Sequence, residues 1–175
     1  MSFKAKPRSI KDIREKAELI RTVTEMAMDT KTEQFPILHF AEIIIPQIAE
    51  DFTFVIGSKE EMGNNLGLTD IKEKTITIRE NAYNGNGRDL FTIAHEVGHV
   101  LLHSEQNIQQ LARTNKETIK PYENPEWQAD TFAAELLMPA SMITEDDTVF
   151  TVARRFGVSY SAARIRLNKL GIINA

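Results

Sequence analysis

The stretch that decides the fold is His95-Glu96-Val97-Gly98-His99, which lies inside a long apolar segment. This segment predicts a helix from Arg88 to about His103. Residues four apart lie on nearly the same face of a helix, so His95 and His99 can direct two imidazoles at one ion. Zinc suits such a pair, because it accepts nitrogen ligands in tetrahedral geometry at about 2.0–2.1 Å. The spacing therefore predicts two ligands of a zinc site.

Glu96 follows His95 directly and points obliquely beside the same position. Its carboxylate can take a proton from a water molecule without being a ligand itself. The spelling His-Glu-x-x-His is a signature of metalloproteases. Burying these polar side chains in an apolar helix would cost several kcal/mol without partners, and a metal would supply the partner. The alternative is that core hydrogen bonds satisfy both histidines.

A catalytic zinc site needs a third protein ligand, which leaves one coordination position open. His103 continues the histidine stripe but lies about 12 Å from His95 along the helix axis, too far to share a tetrahedral ion. A metzincin pattern is excluded, because Leu102 and Glu105 stand where glycine and histidine would be needed. We therefore expect His103 to support a ligand from outside the coordination sphere or to pack in the core.

Glu126 is the better third ligand. It lies in the first turn of a predicted helix that Asn124 caps and Pro125 opens. Asp130 lies four residues later on the same face and could accept the free N–H of a ligating histidine, fixing its tautomer. The alternative is that Glu126 and Asp130 have no role at a metal and are ordinary charged residues near the start of a helix, since acidic residues favour helix N-termini.

The chain before this region predicts helices and a small sheet. Apolar residues after Ser9 recur at helical spacing, and a second helical pattern after Pro36 is interrupted by Pro46. Three short runs predict strands, at Thr53–Ile56, Leu66–Thr69 and Thr75–Ile78. Their short connections predict an antiparallel three-stranded sheet. The third strand is expected at the edge of the cleft, where an extended substrate could pair with it. Residues 84–87 predict a loop.

The end of the chain predicts two short helices, over 148–156 and 159–170, whose turn resembles a helix-turn-helix corner. From Val149 onward there are five basic residues and no acidic side chain. Candidate DNA contacts are Arg154, Arg155, Arg164 and Arg166. A solvated helix face, a hairpin packed on the body and a docking surface for substrate are the alternatives. We divide the chain into a metallopeptidase domain at 1–140 and a helical module at 141–175.

The composition limits the class of protein. The chain has 175 residues, 42% of them hydrophobic and 26% charged, which allows a well-formed core. The absence of cysteine excludes disulfides and thiolate ligands. No apolar run reaches membrane-spanning length, and the basic N-terminal residues lack the apolar stretch of a signal peptide. These features favour a cytoplasmic protein without a membrane partner.

Two segments together resemble the ImmA/IrrE-type metallo-endopeptidases of bacteria and their mobile elements. The segments are His95–His103 and Glu126–Pro139, and the likeness extends from the first helices to about Pro139. The resemblance implies a minimal zincin fold of the gluzincin kind, with zinc held by His95, His99 and Glu126, and with Glu96 as the catalytic base. It also implies a helix-turn-helix transcriptional repressor as substrate, whose cleavage relieves repression during stress response or element transfer.

The sequence is also compatible with other functions. The main alternative is a regulatory protein that holds a repressor or DNA without cutting it, although such a protein would not need a base at Glu96. Half of a toxin–antitoxin pair is a further possibility. Tyr83 and Tyr122 are candidates to stabilise a developing oxyanion, or they are packing residues.

Overall fold

The computed structural model describes residues 2–49, 51–83, 87–104, 112–114 and 119–174, and these form an α+β fold, as predicted. The α-helices are α1 (Ile10–Ala27), α2 (Ile37–His39), α3 (Ile45–Ile48), α4 (Lys59–Met62), α5 (Gly87–His103), α6 (Pro125–Leu137), α7 (Val149–Phe156) and α8 (Tyr160–Lys169). The strands are β1 (Ser2–Lys4), β2 (Thr53–Gly57), β3 (Gly67–Asp70), β4 (Thr75–Arg79) and β5 (Ala112–Thr114). The predicted loop at 84–87 lies outside the described residues, except for Gly87.

Shorter helical segments complete the chain. A π-helix over Phe40–Ile44 joins α2 to α3, so the pattern that Pro46 interrupts is divided into pieces. Turns of 3₁₀-helix occupy Glu80–Ala82, Pro121–Glu123 and Ala140–Met142. Among the described residues, no helix combines the length and apolar character that crossing a membrane would require.

The three-stranded sheet is mixed, and the antiparallel prediction was wrong. The strand order is β2-β4-β3, with β4 parallel to β2 and antiparallel to β3. The prediction assumed that strands consecutive in sequence are paired. The connection from β2 to β4 contains both α4 and β3, which is long enough for a parallel crossover. The expected cleft-edge strand is therefore central, and β3 takes the edge.

The core lies where α1, α5 and α6 meet the sheet and the C-terminal helices. Helix α1 begins with a reciprocal capping box between Ser9 and Asp12, which satisfies backbone N–H groups of its first turn. Apolar side chains from every layer are fully buried in one cluster, among them Ile13, Ala17, Ile76, Ile78, Ile93, Val97, Phe132, Leu136, Ala163 and Leu167. This cluster fixes α5 against α6.

Gly98 sets how closely α5 and α6 cross. A Cβ at Gly98 would lie 3.2 Å from the Cα of Ala129 and 3.2 Å from a ring carbon of Phe132. Such contacts are tighter than ordinary van der Waals packing, so glycine permits the close approach. The crossing lies at the turns that carry the two motif histidines and Glu126.

The N-terminal segment runs along the start of α6. The backbone N–H of Ala5 donates to the carbonyl of Glu123 at 2.8 Å, and that of Arg8 donates to the carbonyl of Tyr122 at 2.9 Å. An ion pair of 2.8 Å joins Lys4 to Glu123. Strands β1 and β5 pair antiparallel beyond these contacts. The first residues of the chain therefore brace the segment that leads into α6.

The C-terminal helices α7 and α8 form a hairpin around Gly157, which has a φ of +67°. The hairpin is attached to α6 by a buried ion pair. The guanidinium of Arg166 donates to both carboxylate oxygens of Glu135, at 2.9 and 2.6 Å, and to the carbonyl of Met138 at 2.9 Å. Arg14 of α1 donates to the same carboxylate at 3.2 and 3.1 Å. Three helices thus meet at Glu135, which is 1% exposed.

The four arginines predicted as candidate DNA contacts divide into two pairs. Arg166 is 4% exposed and engaged with α6. Arg155 is half-buried and donates to the carbonyl of Met142 at 2.6 Å and to Asp147 at 3.0 Å. Arg154 and Arg164 are exposed. DNA contact by these residues, and the domain boundary at residue 140, stay predictions.

Candidate metal centre

The structure brings His95, His99 and Glu126 together between α5 and α6. The Nε2 atoms of His95 and His99 lie 3.0 Å apart. Glu126 places Oε2 at 3.4 Å from His95 Nε2 and Oε1 at 3.5 Å from His99 Nε2. One ligand atom from each residue can be chosen so that all lie within 4.8 Å of one another.

These spacings fit a zinc ion. Tetrahedral coordination at about 2.0–2.1 Å places neighbouring ligand atoms roughly 3.3–3.4 Å apart. The nitrogen–nitrogen separation and the two nearest nitrogen–oxygen separations, which involve different oxygens of Glu126, lie within a few tenths of an ångström of that value. Two imidazole nitrogens and one carboxylate oxygen are also the ligand types of a catalytic zinc site, which keeps a fourth position for water or substrate.

The electrostatics of the cluster also favour a cation. Burial by itself would lower the pKa of His95, but the carboxylates of Asp130, Glu126 and Glu96 outweigh burial and raise that pKa to about 10. Interaction with His95 and His99 holds the pKa of Glu126 well below its ordinary value. The protein therefore stabilises positive charge where these groups converge, as a divalent cation requires.

Asp130 contacts His95, and its predicted role in supporting a metal ligand stays a prediction. Its Oδ1 is 2.8 Å from His95 Nδ1, on the side of the ring away from Glu126. An ionised carboxylate only accepts hydrogen bonds, so His95 Nδ1 carries a proton, and a metal would take the place of the second proton at Nε2. The contact therefore directs His95 Nε2 at His99 and Glu126.

Glu96 lies beside the cluster of His95, His99 and Glu126, and its side chain contacts β3. Its side chain is 7% exposed, and the hydroxyl of Thr69 donates to its Oε2 at 2.7 Å. The same hydroxyl lies 3.2 Å from the carbonyl oxygen of Glu96. A Cβ at Gly67 would come within 2.7 Å of Glu96 Cγ. Gly67 and Thr69 were missed as site residues, although glycine in a predicted strand signals close backbone approach.

His103 is buried beside the cluster and is not one of the convergent groups. Its Nδ1 lies 3.2 Å from His99 Nδ1, and its Nε2 lies 3.0 Å from the side-chain oxygen of Gln128. Burial lowers the pKa of His103 to about 4, which keeps the ring neutral. Gln128 is fully buried, and no sequence signal pointed to it.

The cleft has a volume of about 320 Å³. Its lining comes from β3, the turn after it, α5 and the start of α6: Gly67, Leu68, Thr69, Ile71, His95, Glu96, His99, His103, Pro125 and Glu126. Neither tyrosine suggested as an oxyanion donor is in this lining. Tyr83 donates a hydrogen bond to Glu42, and Tyr122 is 40% exposed.

Replacing Glu126 with alanine is expected to remove most of the bound zinc, because two imidazoles alone do not complete the site. His103→Ala should still bind about one zinc per chain when metal is supplied in excess, since it removes no ligand. The measurement is metal content by mass spectrometry after desalting. Full zinc content in Glu126→Ala, with loss in His103→Ala, would show that the ligand set is wrong.

The fold and the cluster together define a small zincin-like domain of metallopeptidase type. Residues 54–168 match the sequence model of the family described as the IrrE N-terminal-like domain, Peptidase_M78. The matched range covers more than half of the chain and includes α5 and α6. The chain therefore belongs to this family, which makes it a peptidase-type protein.

Comparison with solved structures agrees on the fold. A chain described as a Mycobacterium tuberculosis transcriptional regulator is similar with a TM-score of 0.60 and 17% sequence identity. The match covers 90% of the present chain and 47% of that chain, so this chain spans about half the length of that structure. No curated protein matches the sequence significantly.

Proposed function

We propose that this protein is a zinc-dependent, site-specific endopeptidase of the cytoplasm that cleaves a helix-turn-helix transcriptional repressor. The observation that carries the proposal is the convergence of His95, His99, Glu126 and Glu96 on one cleft. The ligand spacings support zinc, and the carboxylate that is not a ligand supports catalysis over storage of a metal. Membership of a peptidase family supports the same reaction class.

The chain's own residues divide the chemistry between them. His95, His99 and Glu126 would hold the metal. When bound, zinc supplies Lewis-acid activation of a water molecule and of a peptide carbonyl. Glu96 would act as the general base at its carboxylate, accepting a proton from a water in the cleft and delivering it to the leaving amine. Asp130 keeps His95 in the tautomer that presents Nε2.

Strand β3 is proposed to position the substrate. Within the described part of the chain, β3 pairs only with β4, so its other edge offers backbone groups to an extended peptide. The strand alternates toward and away from α5, with Thr69 directed at Glu96 and Leu68 exposed. A peptide paired with β3 would therefore pass directly beside Glu96.

The regulatory part of the proposal has its own support. The sequence resembles peptidases that act on repressors, and the similar solved structure is described as a transcriptional regulator. Two of the four candidate DNA-contacting arginines are engaged within the chain, which leaves Arg154 and Arg164 for an acidic partner. Because two of the four candidate DNA contacts are engaged, we propose a protein substrate in preference to DNA.

The test is cleavage of a helix-turn-helix repressor by the purified, zinc-loaded protein. The first substrate to examine is a repressor encoded beside this gene, with new termini identified by mass spectrometry. Cleavage at one bond that stops when a chelator removes zinc supports the proposal. Tight binding of the repressor without cleavage, by protein holding one zinc per chain, would support the non-cleaving alternative instead.

Thr69→Val is expected to lower the cleavage rate roughly tenfold or more, because it removes one hydrogen bond to the Glu96 carboxylate. Thr69→Ser keeps the hydroxyl and should retain most of the rate. The measurement is kcat on the cleaved repressor, with zinc content checked in each variant. Thr53→Val makes the same change at an exposed position of β2 and should have no effect. Equal rates for Thr69→Val and Thr53→Val would contradict the role of Thr69.

A further inference from the structure

A buried chain of hydrogen bonds runs from the N-terminal segment to His99. Its first member is Gln128, whose side-chain nitrogen donates to the carbonyl of Lys6 at 2.9 Å and to the carbonyl of Tyr122 at 2.7 Å. Both partners are backbone carbonyls, which only accept hydrogen bonds. They fix the orientation of the amide, with its nitrogen toward them and its oxygen toward His103.

The fixed amide determines which nitrogen of His103 carries the proton. The Gln128 oxygen, 3.0 Å from His103 Nε2, can only accept, so Nε2 must donate. A neutral imidazole carries one N–H, so His103 Nδ1 is left with a lone pair. That lone pair faces the ring of His99.

The tautomer of His103 determines that of His99, which lies in the candidate metal site. His99 Nδ1 lies 3.2 Å from His103 Nδ1, and one of the two nitrogens must donate. Because His103 Nδ1 has no proton, the donor is His99 Nδ1. The His99 Nε2 atom then keeps its lone pair, and it is this atom that faces His95 and Glu126.

We infer that Gln128 and His103 are positioning residues that hold His99 in the tautomer a metal requires. The three residues Gln128, His103 and His99 are called the relay below. The positioning role of the relay presupposes that His99 is a metal ligand, as proposed above. It does not presuppose that the protein cleaves a peptide.

The relay differs from the arrangement at His95. Asp130 orients His95 with a carboxylate that is largely accessible to water, 55% exposed. His103 and Gln128 are buried, where an unpaired carboxylate would carry a large desolvation cost. A neutral imidazole and a neutral amide fix the second ligand without adding charge to the core.

The test measures zinc affinity by competition with a chromophoric chelator, so no substrate is needed. Gln128→Met is expected to weaken zinc binding about 10- to 100-fold, the usual effect of losing a group that orients a ligand. Gln47→Met, the same change at an exposed position of α3, should leave affinity unchanged. The double variant Gln128→Met/His103→Leu should bind zinc no more weakly than His103→Leu alone, because Gln128 acts through His103.

A second measurement separates the relay from a general effect on folding. Two-bond ¹H–¹⁵N correlation spectra of the metal-free protein should show His103 protonated at Nε2 in the wild type and no longer held in that tautomer in Gln128→Met. An unchanged His103 tautomer, or additive effects in the double variant, would overturn the inference. Failure of the protein to cleave any repressor, with the zinc and tautomer effects intact, would contradict the proposed function alone.

Discussion

Replacing Glu96 with glutamine is expected to slow peptide-bond cleavage by about 10²- to 10⁴-fold, the contribution typical of a positioned general base. Glutamine has nearly the same shape and can still accept the hydrogen bond from Thr69, but it cannot take a proton at neutral pH. Zinc content should stay at the wild-type level, because Glu96 is not one of the convergent ligands. The measurements are single-turnover cleavage of the repressor and metal content on the same preparation.

The matched control is Glu60→Gln, which makes the same change in the exposed first turn of α4. It should alter neither the rate nor the metal content. Wild-type cleavage by zinc-loaded Glu96→Gln would remove Glu96 from the chemistry. Loss of zinc in Glu96→Gln would instead mean that the ligand set includes Glu96.

Replacing Arg166 with methionine is expected to lower the free energy of unfolding by about 3–5 kcal/mol, because it leaves a buried carboxylate without its main partner. Among the described residues, Glu135 would still pair with Arg14, whose side chain is 37% exposed. Because this partner remains, the loss should lie near the lower end of that range. The measurement is the urea unfolding midpoint and slope of each variant.

Two further variants show whether the loss of stability comes from the buried ion pair. Arg154→Met removes an exposed arginine from α7 and should change stability little. The double variant Glu135→Met/Arg166→Met should recover part of the loss, since apolar side chains can replace a buried ion pair. If Arg166→Met is as stable as Arg154→Met, the ion pair does not hold the C-terminal helices to α6.

The same ion pair predicts a dependence on pH. Burial would raise the pKa of Glu135, but Arg166 and Arg14 outweigh burial and lower it below the ordinary value of 4.5. A lowered pKa in the folded state adds stability that is present above the unfolded pKa and lost as pH falls through the folded pKa. The stability advantage of wild type over the double variant should therefore be complete above about pH 4.5 and shrink in more acidic solution.

The convergence of the two motif histidines could be anticipated because their spacing is local. Residues four apart on a helix share a face whatever the rest of the chain does, which explains why His95 and His99 converge as expected. Glu126 and Asp130 follow the same rule on α6. The order of strands in the sheet does not follow from a local rule of this kind, because the pairing of β2 with β4 depends on contacts distant in sequence.

The burial of individual polar side chains was the main property that the residue pattern did not predict. Arg166 belongs to a basic stretch that suggests a surface, yet it is paired with Glu135, 31 positions away. Gln128 lies in a helical turn with nothing to mark it, and its role depends on a carbonyl 122 residues earlier. Both cases depend on which side of a helix meets another element, which composition and charge do not specify.

The contacts between the N-terminal segment and α6 determine which residues a recombinant fragment of the protein should include. A recombinant fragment trimmed to the family-matched residues 54–168 would omit α1, which covers α6, together with Arg14 and the carbonyl of Lys6. Such a fragment would expose apolar surface and remove one of the two backbone carbonyls that orient the Gln128 amide. A fragment that keeps the contacts around the candidate metal site therefore starts upstream of Lys4 and continues through α8.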